Sequence, residues 1–418
     1  DYYASRGLGD VYKRQLCMTV VTIMATSMIS CSDNNNGSNT SNGLSDEEQA
    51  LKEAIVPYVD NTVIPTYTAM ADEAILMSEA CTKAKEAYLS GDKSKATEYV
   101  TEACEHWTES RKAWELSEAF LFGAAADYNI DPHIDSWPLD QVALDNLLNN
   151  QKMMDAIGEG DFDYITTNLG YGLLGYHALE YILFQLTDDS HREPRNFEKT
   201  YSYSGQVVNI TNNHLIYMAG VAEDLRNQCI RLEASWAGMN NISTQKQEIL
   251  TETEQEPTFN YGTSMKTAGQ GGSKYTSYTV AAQELIQGCI DIVDEVCTQK
   301  IGRPNSGQSA DDKNYIESPY ALNSVVDFVD NIKSVKNAYE GISYDGKNNA
   351  TSVSAYVSTV DQATDTEVKA LIDESITKIQ AIPEPFAKNA TGAEADAAIA
   401  SLSKLSTALN KANKALLK

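Results

Sequence analysis

The stretch Gly175-Tyr176-His177-Ala178-Leu179-Glu180-Tyr181-Ile182-Leu183-Phe184, GYHALEYILF, is an apolar run that carries one imidazole and one carboxylate three residues apart. In a helix that spacing puts both side chains on one face, a turn from each other. Leu173, Leu174, Leu179, Ile182, Leu183 and Phe184 surround the pair, so little of such a helix faces water. Two readings stand: His177 and Glu180 are a satisfied pair in a helical core, or they form a functional site. Both require helices packed on helices.

Working outward, the same period recurs along the chain. Ser45-Asp46-Glu47-Glu48 has capping-box spacing and starts a helical pattern that runs to about Leu89, with Pro57 and Pro65 kinking or splitting its first turns. Further helical patterns cover about 93–123, 139–157, 164–186 and 206–236. A Gly-, Ser- and Thr-rich connection, 238–277, separates them from patterns at 278–300, 318–340, 351–381 and 391–417. Convincing strand alternation is absent. The predicted fold is all-α, with two helical-bundle domains, 45–237 and 278–418.

At 418 residues the chain has room for two such domains. Acidic residues outnumber basic ones 59 to 32, for a formal charge of −27, and no basic stripe interrupts the excess. A nucleic-acid partner is thereby excluded. An acidic surface attracts cations, but it also simply keeps a protein soluble.

Asp10-Val11-Tyr12-Lys13-Arg14-Gln15 resembles the translated end of a transposon adaptor, so residues 1–15 are read as an assembly artefact. Leu16 to Ser30 has the length of a signal-peptide core, completing a leader over 1–30. Met28-Ile29-Ser30-Cys31 resembles the bacterial lipobox, which makes Cys31 the lipidated residue and 31–44, rich in Asn, Ser and Gly, a tether. An outer-membrane lipoprotein facing the periplasm or the cell surface is expected. The later cysteines, Cys81, Cys104, Cys229, Cys289 and Cys297, form no CxxC pair and read as small buried hydrophobes, Cys81 with Cys104 being the pair to check for a bridge.

Two further stretches carry candidate chemistry. Trp107, Arg111, Trp114, Glu115 and Glu118 fall within roughly 100° of helix circumference. The tryptophans mark that sector as buried, so the charges beside them must be paired, as Arg111 with Glu115, or must hold something. In Asp131-Pro132-His133-Ile134-Asp135-Ser136-Trp137-Pro138, Asp135 or Ser136 caps the helix that follows, unless it faces a site. In 318–340, Asn323, Asp327, Asn331 and Ser334 line up beside an apolar stripe, either as an interdomain contact or as a partly solvated face. A histidine and a glutamate at helical spacing suit iron, zinc or manganese. The HExxH of zinc proteases is missing.

Gly175-Tyr176-His177-Ala178-Leu179-Glu180 matches the GxHxxE signature of the imelysin-like family. Arg111–Glu115 leading into Glu118–Gly123, Ile134–Pro138, and Phe328–Val335 followed by Asn337-Ala338-Tyr339 resemble its other recurring segments, in order. The resemblance spans about 45–418 and implies an exported bacterial protein, often a lipoprotein, with two helical bundles side by side and the GxHxxE site near their interface. It further implies a link to iron uptake, with some members catalogued as metallopeptidases. Carried over, His177 and Glu180 are the central metal ligands, with Glu115 and Asp135 completing the shell and Arg111 and Ser136 as surrounding polar groups. Lys333 and Lys336 depart from the commonest C-terminal pattern.

The expected function is a lipid-anchored protein that binds iron, an iron-containing ligand or, failing iron, zinc, in contact with iron-transport components. The alternatives are a metallopeptidase, for which a convincing third histidine ligand is lacking, and a non-catalytic surface scaffold.

Overall fold

Ser45 accepts a hydrogen bond from the backbone N–H of Glu48 and caps helix α1 (Asp46–Tyr58), as the Ser-x-x-Glu spacing predicts. The computed structural model describes residues 43–159, 162–185, 193–203 and 206–418. The expectations on 1–30 and on Cys31 and its tether up to residue 42 lie outside them. Pro57 sits inside α1, and a π-helical turn at Val59–Val63 leads into α2 (Ile64–Leu89), with Pro65 in its first turn. The two prolines therefore split the helix as expected, because each lacks an N–H and crowds the preceding turn.

Gly91, at φ +89°, reverses the chain, and the Asp92 side chain caps α3 (Lys93–Glu115). Helices α2 and α3 form a long hairpin. The GxHxxE helix α4 (Gly175–Leu183) packs on α3 and on α5 (Asn212–Ala237), which itself runs along α2. In the C-terminal half, α6 (Tyr278–Glu295), α7 (Ser324–Glu340), α9 (Gln362–Gln380) and α10 (Ala393–Ala415) make a four-helix arrangement in which α7 and α10 each pack on both α6 and α9; the short α8 (Val353–Val360) lies on α9. Leu44–Lys418 forms one compact unit. Within it α1 packs on α6 and α8, and the Glu48 carboxylate accepts from the backbone N–H groups of Tyr278 (2.6 Å) and Thr279 (3.1 Å) at the start of α6. An anion at a helix N-terminus meets its unpaired donors and its dipole.

The all-α prediction holds, with local differences. The stretch 238–277, read as a connection, carries helices at Thr244–Glu252 and Tyr261–Lys266, with Leu250, Tyr261 and Met265 buried in the core. The pattern at 139–157 divides into Gln141–Leu148 and Gln151–Gly158, and that at 351–381 divides at Asp361, whose side chain caps α9. A short antiparallel hairpin, Tyr201–Tyr203 with Gln206–Val208, is present that strand reasoning did not anticipate. Cys81 and Cys104 are buried and unbridged. Among the described residues no helix is long and apolar enough to cross a membrane.

One glycine positions the site. Gly175 has φ +74°, and a Cβ there would lie 2.0 Å from the carbonyl oxygen of Ile134. Only glycine allows the start of α4 to abut the turn Ile130–Ile134, and that contact carries Asp135 to His177. Gly175→Ala is expected to cost about 2–4 kcal/mol, read as a drop in the thermal midpoint, since strained φ and a backbone clash add. A midpoint within 2 °C of wild type (on the order of 0.5 kcal/mol) would contradict it.

His214 gives the fold a pH dependence. It sits in the first turn of α5, where its Nδ1 accepts from the Thr211 backbone N–H at 3.2 Å, a bond only the neutral ring can make. Burial, with Arg195 nearby, pulls its pKa down from 6.5 to about 4. A group whose pKa is lower in the folded state resists folding once protonated, so stability falls as pH drops from 6.5 through 4. The loss should be on the order of 2 kcal/mol, allowing for partial solvent exposure. His214→Gln retains an acceptor for Thr211; denaturant melts at pH 7 and pH 4 should differ by that much less in the variant.

Candidate functional site: a buried charge cluster between the two halves

Arg111 lies at the centre. It projects from the last turn but one of α3, among Trp107, Trp114 and Tyr176, with its guanidinium 5.4 Å from the Tyr176 ring. Its Nη2 is 2.5 Å from Glu115 Oε1 and 2.8 Å from Glu317 Oε1, Nη1 donates to Asp135 Oδ1, and Nε lies 3.6 Å from Asp327 Oδ2. Glu115 is one turn along α3, and Asp135 ends the turn Ile130–Ile134, where Trp114 Nε1 also holds it at 2.7 Å. Glu317 precedes α7, and Asp327 lies on α7. One guanidinium therefore ties carboxylates from both halves of the chain.

Around this centre stand the remaining groups. His177 donates through Nδ1 to Glu180 Oε2 at 3.0 Å, and its Nε2 lies 3.1 Å from Asp135 Oδ1, off the line of a hydrogen bond. Glu180 Oε1 accepts from the backbone N–H groups of Tyr320 and Ala321, both at 2.6 Å. Lys300 closes a π-helical turn after α6 (Val296–Lys300); its Nζ is 3.0 Å from Glu317, 3.7 Å from Glu115 and 3.8 Å from Glu118. Asn331 Nδ2 donates to Glu115 Oε2, and Ser318 Oγ donates to Asp327 Oδ2 at 2.5 Å.

None of these charged groups is more than 6% exposed. Six carboxylates, Glu115, Glu118, Asp135, Glu180, Glu317 and Asp327, face two permanent cations, Arg111 and Lys300, an excess of four negative charges before His177 is counted. Protons supply part of the balance. Burial pushes Glu115 and Glu118 well up, and Asp327 to about 7. Burial also opposes the charge of Asp135, but Arg111 and His177 outweigh it and hold that carboxyl below its ordinary range. His177 is disfavoured as a cation by burial and by Arg111, yet the Asp135 and Glu180 carboxylates raise it to about 9.

Several buried polar atoms have no hydrogen-bond partner: His177 Nε2, Glu115 Oε1, Glu317 Oε2, Asn331 Oδ1 and Trp137 Nε1. Two groups of three place one ligand atom each within 4.8 Å of the others: Asp135, His177 and Glu317, and Glu115, Glu118 and Asp135. An imidazole with carboxylates is a donor set that fits a hard or borderline divalent or trivalent metal. The orphaned oxygens, in a site with excess negative charge, fit a cation as well.

Of the sequence candidates, Arg111, Glu115, Asp135, His177 and Glu180 come together. Ser136 does not join them: its hydroxyl donates back to the Pro132 carbonyl at 2.6 Å, and neither it nor Asp135 caps the helix that follows, which starts at Gln141 and is capped by the Asp140 side chain. Glu180 is at the site, but both of its oxygens are engaged with His177 and with backbone N–H groups. His106 pairs with Glu73, His133 with Asp224, and His214 caps α5. Glu317 and Lys300 were missed: Glu317 lies outside the helical patterns, and Lys300, the last residue of the 278–300 pattern, reads there as an ordinary helix-end charge. Asp327, Asn331 and Ser334 did leave a signal, the polar line beside the apolar stripe of α7. All three are buried; Asp327 and Asn331 face Arg111 and Glu115, and Ser334 Oγ accepts from the backbone N–H of Ala119.

The chain is 24% identical over 304 residues, 72% of its length and 68% of the relative's, to Iron-regulated protein A of Synechococcus elongatus. A crystal structure from Parabacteroides distasonis described as an iron-regulated protein A precursor superposes with a TM-score of 0.69 at 25% identity, covering 90% of this chain and 97% of the other. An imelysin-like protein from Psychrobacter arcticum shares the fold with a TM-score of 0.52 at 13% identity, covering 88% and 93%. The Imelysin family (peptidase M75) profile matches residues 63–415, and the chain belongs to that family.

Proposed function

We propose that this protein binds a metal ion, iron in the first instance, in the charge cluster between its two halves, and that it serves iron handling at the bacterial cell envelope. The observation that carries the reading is the buried imidazole of His177, whose Nε2 has no hydrogen-bond partner and which sets one ring nitrogen within 4.8 Å of a carboxylate oxygen each of Asp135 and Glu317; a metal ion would take the place of the ring's second proton. Those three side chains are the ligands in this reading. Glu180, named with His177 from the motif, acts one step back. It accepts the hydrogen bond from Nδ1, which fixes the ring and leaves Nε2 to an ion that displaces its proton. Arg111 keeps Asp135 ionised, and each Asp135 oxygen retains a lone pair beyond its bond to Arg111 or Trp114. A bound cation would supply the positive charge that six carboxylates lack.

The names of the relatives from Synechococcus elongatus and Parabacteroides distasonis support iron over zinc. A peptidase built on the same ligands would need a peptide to reach groups at most 6% exposed, so binding is the better supported reading. Attachment to the membrane through Cys31 is part of the proposal; it rests on the lipobox resemblance, and labelling with palmitate should mark wild type and spare Cys31→Ser.

The central test is iron content after anaerobic loading with ferrous iron and desalting. Wild type should retain iron, and His177→Ala and Glu317→Gln should each retain less than about a tenth as much, a loss of more than ~1.4 kcal/mol. Equal and negligible iron in wild type and His177→Ala would remove the reading.

A further inference from the structure

Resting on the metal-binding reading, the geometry points to a site with places for two cations, one of which the chain fills itself: we infer that Lys300 takes the second place and limits the protein to one metal ion. The two candidate triads share Asp135, as the bridging carboxylate of a two-metal centre would be shared. They are not equivalent. Asp135, His177 and Glu317 include the unpartnered imidazole nitrogen and the unpartnered Glu317 Oε2. Glu115, Glu118 and Asp135 contain no imidazole, and the Lys300 ammonium stands 3.7 Å from Glu115 and 3.8 Å from Glu118.

Lys300 is 1% exposed, and its stem reaches the cluster from the π-helical turn Val296–Lys300. Its one hydrogen bond to a carboxylate, at 3.0 Å, goes to Glu317, on the His177 side. Toward Glu115 and Glu118 it acts as a point charge at the distance of a weakly held ion, with its Nζ also 5.4 Å from the Trp137 ring. A buried ammonium among three carboxylates costs several kcal/mol in desolvation, which its pairing must offset. An aliphatic residue with protonated acids would avoid that cost. A fixed charge at this point instead stands where a second metal would stand, beside Glu115 and Glu118, and leaves Asp135 to a single ion. The partners of this group from every side are Glu115 and Glu118 of the N-terminal half, Glu295 and Glu317 of the C-terminal half, and the Trp137 face.

The test is metal stoichiometry, measured with ferrous iron under anaerobic conditions and repeated with cobalt(II), whose absorption reports each bound ion. Wild type should bind one ion per chain, Lys300→Met two, and Lys300→Arg one. Glu118→Gln should still bind one, with a dissociation constant within threefold of wild type. Glu118→Gln also keeps the inference testable should Lys300→Met fail to fold. Two ions in wild type, one ion in folded Lys300→Met, or a more than tenfold loss of affinity in Glu118→Gln would each overturn it. No ion in wild type would instead strike down the metal-binding reading itself, and with it this extension.

Discussion

The guanidinium of Arg111 is the interaction on which the rest depends. It is fully buried, yet it reaches Glu115 on its own helix, Asp135 beyond the next turn, and Glu317 and Asp327 some two hundred residues later. Arginine suits this role because it stays charged when buried and offers its donors in a rigid planar fork. A lysine carries its donors on one nitrogen and has no such fork to spread over carboxylates from several elements. The contact fastens the N-terminal helices to α7 through charge, inside an apolar core that runs through both groups of helices. Loss of the guanidinium alone would leave acids buried and unpaired, the costly way to break such a network.

That constraint explains why polar residues of poor helix propensity persist on α7. Asp327, Asn331 and Ser334 recur at helical spacing and each meets a group from the N-terminal half: Arg111, Glu115 and the backbone N–H of Ala119. Long charged side chains would hold the two surfaces apart, whereas short ones let them close. The closure is what excludes water and makes each orphaned lone pair in the cluster expensive.

Much of this was legible in the sequence for a physical reason. Helical period reports burial of one face, so the fold class, the buried Trp107–Glu118 sector and the GYHALEYILF helix could all be read from spacing. The polar line of α7 was legible as an anomaly, without a partner. Glu317 and Lys300 were not legible: Glu317 ends an irregular segment where no period operates, and Lys300 closes a helix, where a cation needs no further explanation. Their place is set by what the chain meets in three dimensions. The breaks in the patterns at 149–150 and 361 were missed for a related reason. Local capping by Asn150 and Asp361 interrupts a helix without interrupting the run of apolar residues.

The spacing of the GxHxxE motif follows from the same geometry. Gly175 lets the helix start against Ile134, which brings Asp135 to the imidazole. His177 points one nitrogen at Asp135 and the other at Glu180, and Glu180, a turn further on, grips the backbone of Tyr320 and Ala321 with its second oxygen. That grip holds the segment running from Glu317 into α7, where Ser318 and Leu322 take left-handed conformations at φ 47° and 52°. Two such residues cost on the order of 1–3 kcal/mol each and persist only where their surroundings over-determine them. Here the surroundings are the Glu180 carboxylate and the Ser318 hydroxyl bond to Asp327. Glu180 therefore connects the imidazole to the loop that delivers Glu317, and a single carboxylate sets the distance between the two. A longer or shorter spacing within the motif would place the imidazole and Glu317 on separate scaffolds, with nothing to keep their free atoms on one point.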